Sequence, residues 1–154
     1  MTQPALLFVC LGNICRSPLA EAAFRHEAAR AGLMAAADSA GTGNWHVGHP
    51  PDSRALAEAA RHGIDISGLR ARQVRADDFH AFTHILALDR QNLADLRLIA
   101  PPTATARLSL LLDHVDGRAG QSVADPYFGD ESGFAETWRD VSLAAAALVR
   151  KLAD

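Results

Sequence analysis

The sequence predicts one α/β domain over residues 1–154, a four-stranded parallel sheet with helices on both faces. Three observations predict it. Short apolar runs at 5–9, 34–39, 83–88 and 106–111 alternate with longer amphipathic or Ala-rich stretches, the pattern of strands joined by crossover helices. The first run, Ala5-Leu6-Leu7-Phe8-Val9, is apolar throughout, as a strand covered on both faces should be. The chain is also long enough for one core, with 49% hydrophobic and 21% charged residues.

Each connection follows from its punctuation. Residues 18–31 read as an Ala-rich helix ending near Gly32, with Ser17 as its cap and Pro18 in its first turn. Residues 40–51 are a Gly/Pro-rich loop. A helix over 52–62 is capped by Asp52 and stopped by Gly63. Another runs from Asp89 to about Leu98, before Pro101-Pro102 breaks the chain. The region 115–130 has turn composition. In the last helix Phe134, Trp138, Val141, Ala145, Leu148 and Leu152 form one apolar stripe, expected to dock on the sheet.

The segment Val9-Cys10-Leu11-Gly12-Asn13-Ile14-Cys15-Arg16-Ser17-Pro18 sits between strand and helix. Five residues separate Cys10 from Arg16. A loop of that length curls successive N–H groups around one tetrahedral anion, and an arginine fork binds two of its oxygens. This is a phosphate-binding loop after the first strand, with a thiol at its floor. Cys10 there faces the positive end of a helix dipole, which favours the nucleophilic thiolate. A hydroxyl at Ser17 stabilises such a sulfur by a hydrogen bond. In a sheet of this kind ligands bind at the carboxyl ends of the strands, where the loop lies.

The segment resembles the phosphate loop of the low-molecular-weight protein tyrosine phosphatases, and the resemblance covers nearly the whole chain. Ser39-Ala-Gly-Thr42, Trp45-His-Val-Gly48, Pro50-Pro-Asp52, His62-Gly-Ile64, Ala71-Arg-Gln73, Asp89-x-x-Asn92 and Asp125-Pro-Tyr127-Phe-Gly129 fall in that family's order. The resemblance implies metal-independent hydrolysis of protein phosphotyrosine through a cysteinyl-phosphate. It makes Cys10 the nucleophile, Arg16 the phosphate clamp and Asp125, in the Asp-Pro motif, the general acid. Leu11, Gly12, Asn13, Ile14, Cys15, Arg16 and Ser17 form the loop. Trp45 and Tyr127 flank the substrate ring, Leu11 and Ile14 add apolar contact, and Phe128 stands on the same rim. Phe128 fills a position that is often a second tyrosine, so paired tyrosine phosphorylation is excluded. Cys15 resembles a resolving thiol for oxidised Cys10. Asn13 and Ser39 resemble members of a loop-supporting network; Asp89 and Asn92 resemble a supporting strand-end pair, although a helix cap explains Asp89 equally well. One departure stands out: Leu69 occupies the place where the family often has a histidine against the loop asparagine.

Other classes are disfavoured. A net charge of −3 implies no nucleic-acid surface. The N-terminal apolar run is too short to span a bilayer. Two cysteines do not make a disulfide scaffold, and the expectation is a reducing cytoplasmic protein. His46 and His49 lack a cysteine or carboxylate cluster, and His80 and His84 straddle an element boundary, so neither a metal nor a cofactor is expected. A Walker loop is absent, and an arsenate reductase relay lacks cysteines after Cys15. Two alternatives stay open: an arginine phosphatase of the same fold, against which Ile14 stands where those enzymes carry threonine, and a non-catalytic phosphopeptide-binding module. The expected partner is a tyrosine-phosphorylated protein, such as a bacterial tyrosine kinase in a bacterial member. The chain is expected as a monomer or weak homodimer.

Overall fold

Alternating burial in the first strand sets the architecture. The computed structural model describes residues 3–153. In strand β1 (Ala5–Cys10), Leu6, Phe8 and Cys10 join one apolar cluster, while Leu7 and Val9 join another. Successive side chains point to opposite faces, so the strand is central and covered twice. Strands β2 (Ala36–Gly41), β3 (His84–Ala87) and β4 (Arg107–Leu110) complete a parallel sheet in the order β2-β1-β3-β4.

Helices α1 (Arg16–Ala31), α2 (Ser53–Arg61) and α5 (Glu131–Ala153) cover one face; the short α3 (Asp78–Ala81) and α4 (Arg90–Ile99) cover the other. The chain leaves β1 toward β2 on one side and returns to β3 on the other. The Cys10 end of β1 therefore lies where the strand order reverses, the place at which such sheets bind ligands.

The predicted strands and helices are present, each shifted by one or two residues at its ends. Asp52 caps α2, its Oδ1 accepting from the Arg54 N–H at 2.8 Å. Two expectations need correction, and one element had no expectation. Ser17 does not cap α1: the helix already begins at Arg16, no side chain caps it, and the Ser17 hydroxyl turns toward Cys10. The stripe on α5 docks chiefly on α1 and α2, with the 3-10 turn Leu111–His114, rather than directly on the sheet. Apolar periodicity fixes which face is buried but not against what. Helix α3, four residues long, is too short to leave a periodic signal.

Candidate active site

The loop after β1 is held open by bonds to its outer side. The carbonyls of Cys10, Leu11 and Ile14 accept from the N–H groups of Thr42, Gly43 and Asp52, each at 2.9 Å. With these carbonyls turned outward, the N–H groups of Gly12, Ile14 and Cys15 find no acceptor among the described residues, and that of Asn13 points at Cys10 Sγ, 3.3 Å away. Asn13 makes the bend with a φ of 57°, a left-handed conformation that asparagine tolerates better than most residues. Gly41, at the end of β2, permits the approach of the loop: a Cβ there would lie 2.7 Å from the Leu11 carbonyl oxygen.

The floor is buried and polar. Cys10, Asn13, Arg16 and Ser17 are each no more than 3% exposed. Asn13 Nδ2 donates to Ser17 Oγ at 2.7 Å and to Ser39 Oγ at 3.0 Å. Ser39 Oγ donates to the buried Glu21 at 2.8 Å. Ser17 Oγ, accepting from Asn13, lies 3.0 Å from Cys10 Sγ and has its proton left for the sulfur. The Asn13 side-chain oxygen accepts from the Arg72 N–H at 3.0 Å. Leu69 packs against the core on the α1 side. Desolvation by burial holds the Glu21 carboxyl above the ordinary carboxylate range, against the bonds from Ser39 and Arg25.

Arg16 is clamped along one edge. Its Nη1 donates to Asp89 Oδ2 at 2.8 Å and to the Val123 carbonyl at 2.9 Å. Asp89 Oδ1 meanwhile caps α4 by accepting from the Asn92 N–H at 2.7 Å. The cap and the clamp are thus one carboxylate. Asn92 enters through its backbone; its Oδ1 is buried without a partner among the described residues. Burial opposes the Arg16 charge, but the Cys10 sulfur, the bond to Asp89 and the nearby carboxylates outweigh it and raise its pKa further. Its Nη2 lies 3.6 Å from Asp125 Oδ2.

Asp125 stands at the rim, its side chain 40% exposed, with Oδ1 accepting from the Tyr127 N–H at 3.0 Å. Cys10, Leu11, Gly12, Ile14, Cys15, Arg16, Trp45, Asp125, Tyr127 and Phe128, all singled out from sequence, line one cleft of about 260 Å³. Asn13, Ser17, Ser39, Asp89 and Asn92 lie behind it. Both cysteines are free. Burial, then the charges of Asp52, Cys10 and Asp125, push the Cys15 thiol far up, so it stays protonated. Among the described residues no three His, Cys, Asp or Glu side chains converge as a metal site, and no helix is long and apolar enough to cross a membrane.

The profile of the family described as "Low molecular weight phosphotyrosine protein phosphatase" matches residues 5–154. The chain belongs to this family. Its relatives include the low molecular weight phosphotyrosine protein phosphatase of Schizosaccharomyces pombe, 43% identical over 136 residues that cover 86% of each chain. The low molecular weight protein-tyrosine-phosphatase YfkJ of Bacillus subtilis is 46% identical over 126 residues, 80% of this chain and 81% of the relative. Among solved structures, a protein tyrosine phosphatase from Entamoeba histolytica superposes with a TM-score of 0.92 at 34% identity, covering 98% of this chain and 97% of that one.

In this phosphatase-family chain, sequence reading missed two residues at the site. His46 forms part of the cleft wall, 6.3 Å from Tyr127 between ring centres. Arg54 ties the rim down: it donates to the Tyr127 carbonyl at 2.9 Å and the Gly129 carbonyl at 3.0 Å, while bonded to Asp52. The loop motif around His46 was visible, but not its direction. Arg54 gave no signal, since its rim partners are more than 70 residues away in sequence.

Proposed function

We propose that this chain hydrolyses protein phosphotyrosine through a cysteinyl-phosphate. The observation that carries the reading is the position of Cys10 Sγ: at the floor of a cradle of free N–H groups, beside Ser17 and Arg16, with Asp125 at the mouth. The Cys10 thiolate attacks phosphorus, and the bond from phosphorus to the phenolic oxygen breaks. Asp125 gives that oxygen its proton. The edge of Arg16 away from Asp89 and Val123 takes two phosphoryl oxygens as charge builds on them. Water then attacks the cysteinyl-phosphate while Asp125 takes its proton. The sulfur leaves as thiolate, stabilised by Ser17 and the Asn13 N–H, and inorganic phosphate departs. The loop N–H groups and Arg16 balance the phosphoryl charge, so no step is assigned to a metal.

Depth selects the substrate. Cys10 is 2% exposed, and a phosphorylated phenol reaches further than phosphoserine. Exposed Trp45, Tyr127 and Phe128 offer the substrate ring apolar walls. The substrate in this reading is a tyrosine-phosphorylated protein of the cytoplasm, a tyrosine kinase in a bacterial setting, met by a monomer or weak homodimer.

The test is turnover in EDTA on phosphotyrosine, phosphoserine and phosphoarginine peptides. Selective phosphotyrosine hydrolysis, reduced about 10⁴-fold or more in Cys10→Ser, is the expected result. Preferential phosphoarginine hydrolysis makes the chain an arginine phosphatase instead. Peptide binding without turnover makes it a reader.

A further inference from the structure

A second depression adjoins the cleft. It is a groove of about 300 Å³ between the Leu11–Trp45 wall and the end of α4, where Leu98 and Ile99 stand. Leu11 and Trp45 line both depressions. Leu98 is 84% exposed and Ile99 50%, although the inner face of α4 is already filled by Leu93 and Leu96. Six of the nine exposed large hydrophobic side chains among the described residues line the cleft or the groove: Leu11, Trp45, Tyr127, Phe128, Leu98 and Ile99. Contiguous exposed apolar surface of this kind marks a binding site.

The Trp45 part of the shared wall packs on the chain itself. A Cβ on Gly43 would lie 2.0 Å from Trp45 Cζ3, so the indole rests directly against the chain at Gly43. Only glycine leaves room for it there. The cleft and the groove are thus two sides of one barrier.

We propose that this groove is a subsite for an apolar side chain close in sequence to the phosphotyrosine of the substrate; the proposal rests on the phosphotyrosine reading above. A phosphotyrosine inserted as far as Cys10 leaves its own backbone at the cleft mouth. The next residues, each spanning about 3.3–3.6 Å at most, must run over whatever borders that mouth. On the Trp45 side the border is this groove. Its size is at the small end for ligand sites, suited to one side chain. Asp95 is the one charged residue lining it, so an acidic neighbour is disfavoured and an apolar one gains from burial.

The test is kcat/KM on phosphotyrosine peptides carrying leucine, alanine or aspartate at the flanking positions, beside free phosphotyrosine, for wild type and Leu98→Asp. Wild type should prefer leucine over alanine at one flanking position by about five- to ten-fold, mainly through KM, and alanine over aspartate. Leu98→Asp should erase the leucine preference and leave free phosphotyrosine unchanged. Wild-type turnover of free phosphotyrosine with no flanking preference overturns the subsite alone. So does a Leu98→Asp protein that keeps the preference but loses a dimer seen by sedimentation, which makes a second copy the occupant. Loss of all phosphotyrosine turnover in wild type overturns the reading beneath it as well.

Discussion

The loop that carries Cys10 and the loop that carries Asp125, the proposed acid, face each other across one cleft and are built in opposite ways. Residues 10–17 are almost wholly buried, apart from Leu11 and Gly12, and bonded on their outer side by Thr42, Gly43, Asp52, Ser39 and Arg72. Residues 124–133 are mostly exposed, with Phe128 at 93%. They are tied to the body mainly by Val123, whose N–H donates to the Leu88 carbonyl at 2.8 Å, and by Arg54. In the proposed mechanism the difference follows from the two tasks. Stabilising charge on a phosphoryl group works only if the donors are already aimed, because reorganising them costs what the bonds gain. Delivering a proton to the leaving group needs a carboxyl at the mouth, where substrate must also enter.

The largest effects are expected at the cradle. Arg16→Lys keeps a charge but loses the planar fork and both Nη1 bonds. It should lower kcat/KM about 10²–10³-fold, and also lower Tm, since Asp89 loses its partner. An unchanged Tm would show that the cradle is less rigidly built than its hydrogen bonds imply. Asp125→Asn is the counterpart on the acid loop. It keeps the oxygen that accepts from the Tyr127 N–H, so Tm should not move. Turnover of phosphotyrosine should fall about 10²–10³-fold and that of para-nitrophenyl phosphate much less, because a good leaving group needs no proton. Equal losses on both substrates would remove Asp125 as the acid.

Smaller effects test how the rim is held. Arg54→Ala frees the carbonyls of Tyr127 and Gly129, and its guanidinium no longer lies over the Phe134 ring at 4.8 Å. Phosphotyrosine kcat should drop about three- to ten-fold, with the inhibition constant of inorganic phosphate unaltered. A weakened phosphate affinity would place Arg54 in the cradle instead. The smallest effect is a pH dependence. The hydrogen bond from Arg54 outweighs burial and holds the Asp52 carboxyl below its ordinary value. A carboxyl whose folded-state pKa is depressed stabilises the fold above its unfolded-state pKa, and loses that contribution as pH falls through the folded-state pKa. Asp52→Asn keeps a capping oxygen but not the charge. Its Tm deficit should therefore shrink between about pH 7 and about pH 3; a constant deficit would assign the role of Asp52 to capping alone.

Much of this molecule was legible in the chain because the relevant forces act over short distances. The apolar run of β1, the cap at Asp52 and the order Cys10 to Ser17 each encode their conformation within a turn or two of backbone. Trp45, Asp125, Tyr127 and Phe128 were legible only through the family resemblance, and the fold brings them to the sheet edge where β1 ends. Asp89 shows the limit: sequence offered a cap or a site residue, and in three dimensions its two oxygens serve both.

What only the tertiary structure decided depends on residues far apart in the chain meeting at ångström distances. Sequence placed an apolar stripe on α5, but the packing of helices over the sheet made α1 and α2 its partners. Sequence offered Ser17 both as a cap and as a partner of the sulfur, and only the packed loop, with Cys10 and Asn13 both within hydrogen-bond distance of its hydroxyl, decided for the second. The turn of His46 into the cleft, the reach of Arg54 to the rim and the groove lined jointly by Trp45, Gly43 and Leu98 have no local signature. Periodicity and capping are properties of one segment; a wall, a clamp and a groove belong to pairs of segments, and only the packed sheet brings the pairs together.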